Sequence, residues 1–502
     1  MEEDVETRKK PPAKYGLNSW RFRISLLIFF ALFTRTSLRV DMSMAVVCMV
    51  NTSYSEEVIP YLNSTETNSQ CSYLPQQNIS DPGYDGDLLW TQTEVNRLLS
   101  ATFYGILTSV WISGYFSDKF DAKNAVLIAT ANSVVVTLLT PILAEKSVWA
   151  VFGARYIMGL GDGFIVPAIF SIASRWFPHS ELTSFAALYT SGEQLGVLLT
   201  MPISSFLCAS ETLRWPSIFY FFGVLGSIFV ILWFFFATSS PEQNKYISES
   251  ERIYLRESIG KYHKKKSGEN AYKLVLTSGA YWASTVAQLS VAFSVALMQL
   301  YLPSFLKQVL KVSLKTNGLF AFLPFLMQIV SKNVVGNVGD FFKKKRLLTN
   351  TQVVKLVQVL GNIGTGSCFL ILALFIDCDT MVLAIIVLAI YGCFISCGTL
   401  GYYTSQLSIA PRFSSTISAL SVFVGAFTHA NVPIVVGFLN ENETRAEWRR
   451  IWFTGAFLHC FSAIVFSIFG SADVQEWAKG DPEADKEKEI KLKDINEETD
   501  MM

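Results

Sequence analysis

Twelve apolar stretches, each long enough to cross a bilayer as a helix, recur along this chain between shorter polar segments. They fall near 24–50, 96–117, 124–144, 148–173, 183–208 and 216–238, then near 279–306, 317–341, 353–375, 380–403, 414–439 and 451–470. In hydrocarbon every backbone N–H and C=O must be satisfied inside the protein, and a helix does this within one segment. The pattern predicts an all-α membrane protein of about twelve transmembrane helices. These form two six-helix bundles, 24–238 and 279–470, joined by the polar stretch 239–278.

The polar segments orient the spans. Residues 1–23 form a tail with Arg8, Lys9, Lys10, Lys14, Arg21 and Arg23 close to the first span, and 239–278 carries Lys261, Lys264, Lys265 and Lys266. Positive charge beside spans marks the cytoplasmic side, so both segments are expected there. So is the tail 471–502, whose mixed charge and scarce apolar residues predict disorder. The polar loop 51–90 holds glycosylation sequons at Asn51, Asn63 and Asn78, and a fourth, Asn442, lies between the last two spans. Twelve crossings from a cytoplasmic N-terminus put all four on the opposite side. Within the connection, Ser248-Glu-Ser-Glu251 is a capping-box pattern in a short amphipathic helix over 247–259. The first apolar run is too long to be a cleavable signal peptide. The expected location is the plasma membrane or a lysosomal or vesicular membrane, with both termini cytoplasmic.

Composition adds exclusions. Of 502 residues, 51% are hydrophobic and 16% charged, against about 25% charged in soluble domains. The formal net charge is +0, so overall charge says nothing about partners, and no nucleic acid is expected among them. No phosphate-binding glycine loop, paired Cys-x-x-Cys or nucleophile–base pair stands out. The chain therefore reads as no enzyme, with no metal, no cofactor beyond a coupling ion, and no obligate protein partner. Its expected partners are the lipid bilayer and a small solute. Cys393 and Cys397, one turn apart, read as packing, while Cys71 in the polar loop could pair with Cys208 or Cys378.

Charge inside the spans locates the candidate site. The stretch Arg155 to Pro167 sets Arg155 and Asp162 two helical turns apart on one face, beside Gly159, Gly161 and Gly163. Small residues there allow a helix or a ligand to approach the backbone. The first span adds Arg35, Arg39 and Asp41, and the fifth adds Glu193. Charges this deep require a partner or a wet cavity. A guanidinium matches carboxylate or phosphate and keeps its charge when partly desolvated, which makes Arg39 and Arg155 the candidate substrate contacts. For Arg155, snorkelling or a structural ion pair is an equal alternative, and Arg35 is either an escort or a snorkelling side chain. Asp162, Asp41 and Glu193 are the candidates for holding a coupling ion, H+ or Na+, with structural pairing the alternative for the last two. Tyr104, His429 and Asn431 are candidate cavity-lining residues, against a packing role for Tyr104 and His429. Lys332 and Asn333 in the eighth span are polar enough to lie on a pathway or to satisfy a broken helix backbone.

An internal repeat supports the division into halves. After the second span comes Gly114-Tyr-Phe-Ser-Asp118, followed by bases, and after the eighth comes Gly336-Asn-Val-Gly-Asp340, again followed by bases. Each sets a Gly and an Asp four apart at a helix end, where the Gly allows close contact and the Asp pairs with a base or caps a neighbouring helix. This paired motif resembles the loop signature of the major facilitator superfamily. Further stretches resemble one anion-transporting branch of it, that of sialin, the type I sodium–phosphate cotransporters and the vesicular glutamate transporters. They are Leu38-Arg39-Val40 through Asn51, Arg155 through Pro167, Gln194-Leu195-Gly196 with Pro202, 247–259, Ile409-Ala410-Pro411-Arg412, and Asp473 through Trp477.

The resemblance implies two six-helix bundles around a central cavity, alternating access, and a small organic or inorganic anion driven by H+ or Na+. By position Arg39 matches the family's span 1 arginine, which implies a substrate or coupling role, and Arg155 matches its span 4 arginine. Asp162 stands where the family has a coupling Glu. The departures disfavour glutamate as a vesicular substrate. Val291 stands where the glutamate branch has an arginine, Leu99 where it has a histidine, and Gln406 and Ser408 where a His and an Asp are frequent. Asp41 and Glu193 are acids where relatives carry uncharged residues. The competing readings are a non-transporting anion sensor and an anion channel built on the same fold.

Overall fold

The computed structural model describes residues 19–51, 86–119, 121–259, 271–345, 348–410, 413–441 and 443–478. Twelve long helices occupy the twelve apolar stretches. In the first half they are α1 (Trp20–Met49), α2 (Gln92–Lys119), α3 (Ala122–Lys146), α4 (Val148–Trp176), α5 (His179–Cys208) and α6 (Pro216–Phe236). In the second half they are α7 (Gly279–Gln308), α8 (Leu314–Lys344), α9 (Asn350–Phe375), α10 (Met381–Ile409), α11 (Ser414–Leu439) and α12 (Arg445–Phe469). Two short helices, Glu249–Ile259 and Ala271–Leu276, lie in the connection between the halves. Among the described residues there is no sheet, only one bridge between Val50 and Leu88. Local signals set several helix starts. Ser147 caps α4, Ser278 caps α7, and full capping boxes open α9 at Thr349/Gln352 and α12 at Thr444/Glu447.

Among the described residues, nine of these helices are long and apolar enough to span a membrane by composition alone. The three long helices that fall short are α1, α2 and α5. They are too polar, and α1 and α5 carry intramembrane charge. Their outer neighbours show the opposite character. On α6, Phe221, Ile228, Ile231 and Phe235 all face outward and exposed, an apolar surface suited to lipid and to little else.

The two halves repeat one packing plan. In the first, α1 packs on α5 and α6, α2 on α4, and α3 on α4 and α6; in the second, α7 packs on α11 and α12, α8 on α10, and α9 on α10 and α12. Contacts between the halves obey the same symmetry, with α5 against α8, α11 against α2, and α1 against α7. Close approach at glycine recurs as well. A Cβ at Gly159 would collide with the Thr102 carbonyl of α2, and one at Gly392 with the Pro324 carbonyl of α8. Gly161 faces Asn132 and Ala129 on α3, and Gly163 faces Ser109 on α2. The three glycines around Asp162 thus serve helix contact rather than an open ligand surface.

Each end of the molecule is tied differently. At the face where α1 begins, Glu251 of the short connecting helix is buried. It accepts hydrogen bonds from the Trp20 and Arg21 backbone N–H groups (3.1 and 3.2 Å) and from Arg21 Nε (3.0 Å). The predicted amphipathic helix therefore caps α1 from a distance, satisfying amides that the helix start leaves open. At the opposite face, Cys48 at the end of α1 is joined by a disulfide to Cys208 at the end of α5. This corrects the expected availability of Cys208 to Cys71, because its sulfur is already committed. Cys378 is also disulfide-bonded. Cys71, Asn63, Asn78, Asn442, most of the loop 51–90 and most of both tails lie outside the described residues.

The contact at Gly159 gives a direct test. Gly159→Val inserts side-chain atoms against backbone, a cost of about 1–3 kcal/mol for an overpacked site. The purified protein should melt several degrees lower in detergent. Gly153→Ala, on the same helix with nothing within 4 Å of a new Cβ, should not lower the melting temperature.

Candidate functional site

The polar centre is assembled around α1, which presents Arg35, Arg39 and Asp41 within two turns. On one side α4 meets it. Arg155 Nη2 lies 3.0 Å from Asp41 Oδ1, and Arg155 Nη1 donates to the Leu38 carbonyl at 2.9 Å. The guanidinium also sits over the Phe219 ring at 5.7 Å. Both side chains are buried, at 2% and 0% exposure. Arg155 is thus turned toward protein groups, and the pair stitches α4 to α1.

One turn deeper, Arg35 bridges two acids. Its Nε lies 3.4 Å from Asp162 Oδ2, and its Nη1 lies 3.1 Å from Glu193 Oε1. The two carboxylates differ in setting. Asp162 is fully enclosed, and neither of its oxygens accepts a hydrogen bond. Glu193 is open, with 42% of its side chain exposed.

Arg39 is placed otherwise. It is half-buried, and among the described residues no carboxylate comes within ion-pair distance of it. Its guanidinium stacks over Phe103 of α2 at 5.4 Å, and Phe103 in turn packs against His429 of α11 at 5.1 Å. His429 donates from Nδ1 to the Gly425 carbonyl at 2.8 Å, which fixes the ring and leaves Nε2 for another partner. The site therefore reaches across from the first half to the second.

The other expected residues are more dispersed. Asn431 donates to the Phe427 carbonyl of its own helix at 2.7 Å. Tyr104 packs against the apolar core. Gly114 and Asp118 fall in the last turns of α2, and Gly336 and Asp340 near the end of α8, so the repeated motif sits inside helices rather than in a loop. The side chain of neither Asp118 nor Asp340 is among the described ones. A Cβ at Gly336 would meet nothing within 4 Å among the described residues, so no described helix packs closely on it. Asn51 donates its backbone N–H to the Leu88 carbonyl at 2.9 Å, just past the end of α1.

Polar groups of the second half form networks that the sequence alone did not expose. Gln406 donates to Gln288 Oε1 at 2.9 Å, and Gln288 donates to the Ser421 carbonyl at 2.8 Å, joining α10, α7 and α11. Val291 and Leu99 are simply buried apolar residues. Deeper, His459 Nε2 lies 2.6 Å from Ser294 Oγ, and Asn362 donates to Ser462 Oγ at 2.8 Å. His459 is a histidine in an apolar run, a signal that was present in the sequence but had no visible partner there.

Comparison with known proteins identifies the family. The family model for the Major Facilitator Superfamily matches residues 24–433. The chain belongs to that superfamily. It is a multi-pass membrane transporter and not an enzyme. A Caenorhabditis elegans protein, uncharacterized transporter slc-17.3, is 33% identical, with 95% of this chain and 93% of that one covered. Human sialin is 27% identical, with 92% of each chain covered. Human sodium-dependent phosphate transport protein 1 is 28% identical, covering 95% of this chain and 98% of its own. Among solved structures, a bacterial homologue of the human lysosomal transporter Spinster, inward-facing and unoccupied, superposes with a TM-score of 0.64 at 12% identity. That alignment covers 90% of this chain and 97% of the other, and at such identity it shows the fold.

The Arg155–Asp41 pair makes a prediction as a buried unit. Removing either partner alone strands a charge in a dry site, at a cost of about 3–5 kcal/mol. Arg155→Ala and Asp41→Ala should each lower the melting temperature sharply, while the double variant should be no worse than either single one. Additive losses in the double-mutant cycle would show that the two side chains act independently.

Proposed function

We propose that this transporter moves a small organic or inorganic anion together with H+ or Na+, by alternating access between its two halves. Arg39 is the anion contact in this reading, and Asp162 holds the coupling ion. The observation that carries it is the charge arrangement of the first half. Three guanidiniums, of Arg35, Arg39 and Arg155, face three carboxylates, of Asp41, Asp162 and Glu193. Fully ionised, this first-half set is neutral and adds no net charge of its own to attract an anion. A proton or Na+ on Asp162 leaves one positive charge over in this set, and of its three guanidiniums Arg39 is the one with no carboxylate among the described residues at ion-pair distance. Binding of the cation would therefore favour binding of the anion, which is the thermodynamic content of symport.

Asp162 suits that role because an ionised carboxylate without hydrogen bonds costs free energy in an enclosed site. A proton or a small cation relieves that cost. The relatives support an anionic substrate, since one is named for sodium-dependent phosphate transport and another is sialin. The same reading puts both termini and the 239–278 connection in the cytoplasm and the sequons on the opposite side. It needs no organic cofactor. Contacts between the halves support an arrangement closed away from the cytoplasm. Lys307 donates to the Val47 carbonyl at 3.1 Å, Tyr301 to Asn96 at 2.8 Å, and Ser205 to the Leu314 carbonyl, all toward the face where α1 ends.

Two variants separate the roles. Arg39→Ala should reduce uptake of the transported anion by proteoliposomes about ten- to hundredfold, the scale of one lost charge-assisted hydrogen bond. Asp162→Asn should retain anion binding but lose the dependence of uptake on the imposed pH or Na+ gradient. A gradient dependence in Asp162→Asn equal to that of the unmodified protein would remove Asp162 from the coupling step.

A further inference from the structure

The second half contributes one cation at the depth of this site. Lys332 lies in the interior of α8, whereas the other lysines and arginines of the described helices of that half sit toward helix ends. Its ammonium reaches across the interface between the halves, 3.4 Å from Thr190 Oγ1 on α5. Thr190 is one turn before Glu193, and Lys332 falls within the electrostatic reach of that carboxylate. No carboxylate among the described residues lies within ion-pair distance of Lys332. It is half-buried, so its charge is neither neutralised by a close partner nor fully hydrated.

Glu193 links this lysine to the arginines. It holds Arg35 at 3.1 Å through one oxygen and lies within electrostatic reach of Arg39 on the same helix. Its side chain is open, on the helix that packs against α8 of the second half. An exposed anionic group placed among cations from both halves is what a bound substrate would replace.

We infer that Lys332 is the second substrate contact, gripping from the second half an anion that Arg39 holds from the first, while Glu193 occupies this charged space when no substrate is bound. The inference rests on the anion-carrier reading and extends it. A lysine suits the position because its compact charge on a flexible stem can follow a moving partner, where the planar fork of Arg39 fixes orientation. An anion contacted from both halves ties occupancy to their relative position, so that loading alters the balance between open and closed arrangements. The ligand chemistry this selects is a small oxyanion or carboxylate able to accept hydrogen bonds on two sides.

The test compares binding and transport for two probes, inorganic phosphate and sialate. Purified full-length protein is titrated with each in detergent, following intrinsic tryptophan fluorescence, and the same variants are assayed for labelled uptake in proteoliposomes. Lys332→Met should weaken binding and raise the KM of the recognised probe at least about tenfold, with the maximal rate kept within severalfold. Lys332→Arg should recover most of the loss. Glu193→Gln should tighten binding, since the internal competitor has lost its charge. Binding that is lost in Arg39→Ala but unchanged in Lys332→Met overturns this inference and leaves the carrier reading intact. Absence of both binding and uptake for both probes in the unmodified protein overturns both together.

Discussion

A charge in hydrocarbon must be neutralised, hydrated or put to use, and the centre of this protein is organised by that constraint. Arg155 and Asp41 neutralise each other in a dry pocket between α4 and α1. Arg35 is shared between the enclosed Asp162 and the open Glu193. Arg39 is left over, stacked on Phe103 in contact with the second half. The helices that bear most of these groups, α1 and α5 with α2 beside them, are the long ones too polar to be recognised as spans by composition. Apolar helices surround them and meet the lipid. The fold thus buries Arg155, Asp41 and Asp162 inside the first half and leaves Arg39 and Glu193 on helices that contact the second.

The paired groups and the unpaired one have different physical roles. A buried ion pair adds little net stability, because desolvating both partners offsets most of their attraction. Its value here is positional. Arg155 anchors α1 through Asp41 and the Leu38 carbonyl, which flank Arg39 within one turn. Ties at both ends add to that anchoring, with Glu251 capping the start of α1 and the Cys48–Cys208 disulfide holding its end against α5. A helix fixed this way can present a side chain to a cavity with little freedom to drift.

Much of this was legible in the sequence. Apolar runs marked all twelve long helices, missing the end of α10 and the start of α12 by six residues each, since a segment that must satisfy its own backbone in lipid has few alternatives. The acids and arginines of the site stood out because such residues are rare in apolar runs. Their pairing did not. Nothing in the order of residues says that Arg155 meets Asp41 rather than Asp162, its neighbour on one helix face, because α1 intrudes between the possibilities. The repeated Gly–Asp motif marked equivalent places in the two halves, but the helices run through it instead of ending before it. The buried set around His459 and Asn362 was silent for the same reason. It draws on α7, α9 and α12, which are remote in sequence and meet only in the folded second half.

The decisive measurement is concentrative uptake by the unmodified protein in proteoliposomes, under an imposed pH gradient or an imposed Na+ gradient, with labelled phosphate and sialate supplied separately. The account predicts that one gradient drives one of these anions to an internal concentration above the external one. It also predicts that collapsing the gradient releases the accumulated label. Uptake that only equilibrates, whichever gradient is imposed, would contradict coupling and leave a passive anion pathway in its place.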